Sequence, residues 1–264
     1  MTLNLNGQLL DLSHPIVMGI LNVTPDSFYA DSRQQSDEAI IARVKQIVEE
    51  GATIIDIGAC STRPGSTPVS EKEEINRLRN ALKIVTEQLS FHNTQFSVDT
   101  FRPDVARMAV EEFGAAIIND VSEGGEEMFR MAARLGVAYV LTSNQSDLRQ
   151  TLLTFAKKSQ QLRDYGQKDI LLDPGFGFGK TIEENFCLFA DMEKLLVMEL
   201  PLLVGISRKS MIYKTFGCTP EEALNGTTVL NTIALMKGAS ILRVHDVKAA
   251  VECCKLSQFI IHNS

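Results

Sequence analysis

The sequence predicts a (β/α)8 barrel, a parallel eight-stranded TIM barrel wrapped by helices, with a short β-hairpin in front of it. Three observations carry this. Eight short, almost uniformly apolar runs lie at 16–21, 53–57, 96–98, 116–118, 137–141, 170–172, 201–204 and 241–244. Continuous apolar strands of this kind are buried on both faces, as in parallel sheets covered by helices. Amphipathic stretches follow them at about 36–50, 70–89, 103–113, 126–135, 148–165, 182–196, 220–237 and 247–260. Eight such units fit within the length of one barrel domain, so the whole chain, 1–264, is expected to be a single domain. An open doubly wound sheet is the alternative, since strand order is not written in one sequence.

Leu3 to Leu10 carries Asn6-Gly7 at its centre, the favoured two-residue hairpin turn, and is expected to plug one end of the barrel. Ser70-x-x-Glu73 fits a capping box at the start of the second helix. Gly51, Gly114, Gly136 and Gly238 stand where helices should stop before the next strand.

The formal charge of −7 gives no basic field for nucleic acid, and no run approaches a membrane span. Five cysteines without C-x-x-C spacing are expected to be reduced and structural. These features favour a cytoplasmic protein. The stretch 224–236 is apolar round more than one face, which predicts a homodimer.

In a barrel of this class the loops after the strands form the face that carries chemistry. The polar groups at or just past the strands are Asn22, Asp56 with Gly58, Asp99, Asn119, Thr142, Asp173, Ser207 to Lys209, and Arg243 with His245. Asp99, Asn119 and Asp173 bring two carboxylates and an amide together, a set suited to the N–H donors and ring nitrogens of an amino-pyrimidine-like ring. Arg63, Lys209, Arg243 and His245 bring positive charge or donors, as a pyrophosphate requires. The loops Asn22-Val23-Thr24-Pro25-Asp26-Ser27-Phe28 and Ser61-Thr62-Arg63-Pro64-Gly65-Ser66 have the character of segments that close over a ligand. Gly177-x-Gly179-Lys180-Thr181 has glycine, lysine and threonine but lacks the spacer a phosphate-cradling loop needs.

Seven segments in order resemble the dihydropteroate synthase family. They are Met18-Gly19-Ile20-Leu21-Asn22-Val23-Thr24-Pro25-Asp26-Ser27-Phe28, Ser61-Thr62-Arg63-Pro64-Gly65, Ser97-Val98-Asp99-Thr100, Ile118-Asn119-Asp120-Val121-Ser122, Asp173-Pro174-Gly175-Phe176-Gly177-Phe178, Gly205-Ile206-Ser207-Arg208-Lys209-Ser210 and Arg243-Val244-His245-Asp246-Val247. The resemblance implies a sulfonamide-sensitive class of transferase in folate biosynthesis. It condenses 6-hydroxymethyl-7,8-dihydropterin pyrophosphate with p-aminobenzoate and releases pyrophosphate.

It further implies that Asp99, Asn119, Asp173, Lys209 and Gly205 hold the pterin, with Arg243 against its face. Asn22 would sit by a Mg²⁺ bridging pyrophosphate oxygens, with Arg63, Arg243 and His245 as pyrophosphate partners. Phe28, Thr62, Pro64, Phe178, Lys209 and Ser210 would shape the p-aminobenzoate pocket; Asp99, Asp173, Lys209 and Arg63 would carry the chemistry.

The chain departs from the family's pattern at Thr142-Ser143-Asn144, where Met-His-Met is usual, at Cys60, where glutamate is common, and at Tyr29-Ala30-Asp31-Ser32. A methyltetrahydrofolate:corrinoid methyltransferase would share the pterin edge but need no pyrophosphate ligands. A non-catalytic pterin-binding paralogue is the other alternative. Asp56 reads as a structural carboxylate bonded to loop amides, His14 and His92 as ordinary loop or surface residues, and Phe186 and Phe189 as helix packing.

Overall fold

The computed structural model describes residues 1–24, 33–60, 69–89 and 92–261. Strands β1 (Thr2–Leu5) and β2 (Gln8–Asp11) pair antiparallel around Asn6 and Gly7, whose φ values of 52° and 84° make the expected tight hairpin turn. The barrel strands follow: β3 (Ile16–Asn22), β4 (Ile54–Gly58), β5 (Gln95–Asp99), β6 (Ile117–Asp120), β7 (Ala138–Thr142), β8 (Ile170–Asp173), β9 (Leu203–Val204) and β10 (Ile241–Val244). They are parallel, in the order β8-β7-β6-β5-β4-β3-β10-β9. A parallel bridge between Leu172 and Leu202, with Leu172 N–H donating to Pro201 O at 2.9 Å, brings the two ends together. The predicted barrel is therefore observed and the open sheet is excluded.

Helices α1 (Arg33–Glu49), α2 (Glu71–Leu89), α3 (Pro103–Phe113), α4 (Glu126–Leu135), α5 (Leu148–Asp164), α6 (Ile182–Ala190), α7 (Ser210–Phe216), α8 (Leu224–Met236) and α9 (Val247–Ile261) form the outer layer. The four glycines expected to end helices all take positive φ, between 69° and 94°. Two expectations change. The stretch 182–196 is not one helix: after Ala190 the chain tightens to a 3₁₀ segment, Met192–Met198. Its three-residue period turns both Met192 and Leu195 into the core. The helix expected from Pro220 begins at Leu224, and the shorter α7 intervenes, closed by Gly217 at φ 64°.

Strand alternation divides the interior in two. Met18, Ile54, Ile117, Ala138, Val140, Leu171, Leu203 and Ile241 point inward and pack on Leu3, Leu5 and Leu12, so the hairpin does plug that end. Their neighbours Val17, Ile55, Ile118, Tyr139, Leu141, Leu172, Val204 and Leu242 point outward into the helix layer. Continuing the inward row toward the strand ends gives Asp56, Asp99, Asn119, Thr142, Asp173 and Arg243, so the apolar floor gives way to a polar bowl.

Candidate active site

The bowl is tied together by one guanidinium. Arg243 Nε donates to Asp56 Oδ2 at 2.6 Å, and Arg243 Nη2 donates to Asp99 Oδ2 at 2.6 Å. Asn119 Nδ2 donates to the same Asp56 oxygen at 3.0 Å. Asp56 thus belongs to the site network, contrary to the loop-amide expectation. Alternation could have shown this, because Asp56 lies two residues past inward-facing Ile54. Gly58 pairs with Asp99 in register, and a Cβ there would stand 3.3 Å from Asp99 Cβ, so glycine leaves room for the carboxylate.

Burial, opposed by the Arg243 charge and reinforced by Asp56 and Asp120, raises Asp99 to about 7. Arg243 is held above its ordinary range: burial opposes the charge, and Asp56 and Asp99 overcome it.

Asp173 is buried at the end of β8. Its Oδ1 accepts from Gly175 N–H at 2.8 Å, which caps the turn. Burial raises its pKa, against Lys209 and the Gly175 hydrogen bond. Gly175 adopts φ 67°, and a Cβ there would stand 2.2 Å from Ser143 O. No side chain fits that turn without backbone movement.

Lys209 points inward, as expected; its ammonium donates to Phe176 O and lies 4.5 Å from the centroid of the Phe178 ring. Burial lowers Lys209 to about 8, with Asp173 opposing and Arg243 and Lys180 adding to the effect. Arg208 points the other way, gripping Asp246 with two 2.8 Å hydrogen bonds. Ser210 opens α7 directly after Lys209. A Cβ on Gly205 would lie 3.8 Å from Arg243 and 3.9 Å from Lys209 Nζ, inside the bowl.

His245 follows β10, and its Nδ1 sits 3.1 Å from Ser207 Oγ, which fixes the ring. Asn22 ends β3, on the inward row. Among the described residues there is no group of three or more His, Cys, Asp or Glu side chains able to hold a metal. A Mg²⁺ carried mainly by pyrophosphate oxygens and water needs only one or two protein oxygens, so a single amide at Asn22 fits it. Arg63, Phe28, Thr62 and Pro64 lie outside the described residues.

Three supporting roles escaped the sequence reading. Lys180 donates to Ser143 O at 3.2 Å, Gly175 O at 2.8 Å and Phe178 O at 3.4 Å. This ammonium braces carbonyls instead of meeting phosphate, and neighbouring Thr181 forms a capping box with Glu184. Buried Glu74 accepts from Thr100 Oγ1 at 2.7 Å and from Arg102, steadying the loop after β5. Ser207 orients His245. The Gly-Lys-Thr run and the position of Ser207 were visible signals; the carbonyls that meet Lys180 were not.

Four buried side-chain atoms on the inward rows have no hydrogen-bond partner: Asp56 Oδ1, Ser97 Oγ, Asn119 Oδ1 and Thr142 Oγ1. Unpaired polar atoms collected in one place are the mark of a polar ligand's seat. A groove of about 280 Å³ between α3 and α4 lies on the outer layer instead, and its Arg107 and Arg130 are engaged by Asp104 and Glu126.

Residues 18–245 match the pterin binding enzyme family. The chain belongs to that family, in its dihydropteroate synthase branch. It is 38% identical over 272 residues to dihydropteroate synthase of Escherichia coli (strain K12), covering 97% of this chain and 95% of that protein. A solved Xanthomonas albilineans dihydropteroate synthase with 4-aminobenzoic acid superposes with a TM-score of 0.90 at 35% identity, covering 98% of each chain. A Yersinia pestis dihydropteroate synthase in a sulfonamide drug complex gives 0.89 at 36% identity over the full length of both. Outside the site, His14 and His92 are exposed, Phe189 packs in the core against Phe176, and Phe186 packs beside it, as expected. Of the five cysteines Cys253 and Cys254 are buried and Cys187 is exposed, so the structural place expected of all five is seen for the buried pair.

Proposed function

We propose that the polar bowl condenses 6-hydroxymethyl-7,8-dihydropterin pyrophosphate with p-aminobenzoate, giving 7,8-dihydropteroate and pyrophosphate. The observation that carries this is the inward row Asp99, Asn119 and Asp173, seated beside unpaired buried polar atoms in a chain of this family. Asp173 and Asn119 accept the N–H donors of the pterin edge. Lys209 donates to that edge, Gly205 gives it room, and Arg243 lies against its face.

Breaking the C–O bond to pyrophosphate leaves positive charge on the pterin methylene, which the Asp99 and Asp173 carboxylates stabilise. His245, Arg243 and Arg63 receive the departing anion. Mg²⁺ held beside Asn22 would neutralise pyrophosphate charge. The amine of p-aminobenzoate forms the new C–N bond and gives up one proton to solvent. It is already nucleophilic, so position is the main contribution here. Phe178, Ser210 and Lys209, with Phe28, Thr62 and Pro64, shape its pocket, the one a sulfonamide would occupy.

The same proposal treats the chain as one domain, places it in the cytoplasm in keeping with its five free cysteines, and makes it a homodimer. The dimer rests on α8 and α9, which leave Val229, Met236, Leu256 and Phe259 50–70% exposed, too much apolar surface for one face of a monomer. Sedimentation showing monomer alone removes that part. Purified protein with Mg²⁺ and both substrates should release pyrophosphate, and Asp173→Asn should slow turnover at least about tenfold, the loss of one hydrogen bond to a charged group. Pterin binding without turnover would sink the synthase reading in favour of a non-catalytic binder.

A further inference from the structure

We propose that the Thr142 hydroxyl is a specificity-determining group that hydrogen-bonds the exocyclic amine of a 2-amino-4-oxo heterocycle bound in the bowl. This rests on the pterin reading above and adds a residue to it.

Strands β6, β7 and β8 are neighbours, and their inward rows end in Asn119, Thr142 and Asp173. Adjacent strands stand about 4.8 Å apart, so Asn119 and Asp173 are separated by about 10 Å with β7 between them. Register sets Asn119 opposite Val140 and Thr142 opposite Asp173, so Thr142 is the next inward residue of β7 beyond the one that faces Asn119, at the Asp173 end of that edge. Register places Thr142 directly beside Asp173, and Ser143 N–H donates to Asp173 O at 2.9 Å, which fixes that level.

The threonine side chain is divided between two tasks. Its methyl is turned to the Asp173 loop, where a Cβ on Gly175 would stand 3.0 Å from it. Its hydroxyl is fully buried and has no hydrogen-bond partner. Buried hydroxyls are ordinarily paired, and an unpaired one is destabilising. The ring offers the missing partner. A carboxylate at Asp173 takes a ring N–H together with one hydrogen of the adjacent amine, and the second amine hydrogen is then turned toward the next strand.

The structure therefore predicts opposite signs for one substitution. Thr142→Val keeps the shape and removes the hydroxyl. Ligand-free Thr142→Val should melt about 2–4 °C higher than wild type, because a buried unpaired group is gone. Its affinity for pterin should fall about 3- to 10-fold, whereas affinity for the analogue lacking the 2-amino group should change less than about twofold.

Binding of pterin and of its 2-desamino analogue is measured by titration calorimetry on both proteins, with melting curves alongside. Equal losses on the two ligands, no loss on either, or a lower melting temperature with no ligand discrimination would overturn the assignment. Wild-type turnover beside any of these outcomes removes Thr142 alone and leaves the synthase reading standing. Absent turnover with the predicted discrimination does the reverse.

Discussion

Replacing Lys209 by methionine should make the protein more stable and much less active. The ammonium is lowered from 10.5 to about 8, chiefly by burial. At neutral pH that corresponds to about 3 kcal/mol held against the folded state. The side chain keeps some contact with solvent, and Phe176 O loses its donor, so about 1–2 kcal/mol should remain. For a chain of this size that is about 2–6 °C in Tm.

The sign follows from proton counting. Below pH 8 both folded and unfolded Lys209 carry the proton, and the penalty is fully present. Between pH 8 and 10.5 the folded state releases it first, so wild type gains stability relative to Lys209→Met as pH rises, and the gap closes. Melting curves of both proteins at pH 7, 8, 9 and 10 test this, with turnover expected to fall at least about tenfold. A variant that is less stable at pH 7, by a margin constant to pH 10, would refute the burial account.

The remaining predictions concern the same bowl. With Asp99 raised to about 7 and Lys209 lowered to about 8, kcat/KM should rise with pH as Asp99 ionises and fall as Lys209 loses its proton. A flat profile from pH 6 to 9 would show that neither charge matters. Gly175→Ala forces a Cβ to within 2.2 Å of Ser143 O at φ 67° and should destabilise by about 2–4 kcal/mol in urea unfolding. Lys180→Met releases the loop that carries Phe178; KM for p-aminobenzoate should rise severalfold while pterin affinity holds, and Lys180→Arg should restore part of it. Equal effects on both substrates would argue against the brace.

The barrel was legible because parallel strands buried on both faces leave continuous apolar runs, and the end of each run marks the catalytic face. The same reading put Asp99, Asn119 and Asp173 together without any knowledge of distance. It misplaced Asp56, which ends no run and is read correctly only by its parity with Ile54. It missed α7, since seven residues hold barely two turns of periodicity. The missing spacer ruled Lys180 out as a phosphate ligand, but its bracing role was not legible, because three carbonyls from two loops meet only in the folded chain. Thr142 stood out as a departure at the sequence level, and only its burial without a partner shows what such a departure could do.

Arg243 engaged by Asp56 and Asp99, with Lys209 and Lys180 close to Asp173, leaves the described bowl with three carboxylates against three cations. Around it is a chain of net charge −7. A pyrophosphate ester approaching from solution therefore meets no attractive field from these groups; its affinity comes from short-range contacts made after arrival. Added salt should screen the repulsion and quicken encounter instead of slowing it, the opposite of what is seen when a positive funnel gathers an anionic substrate.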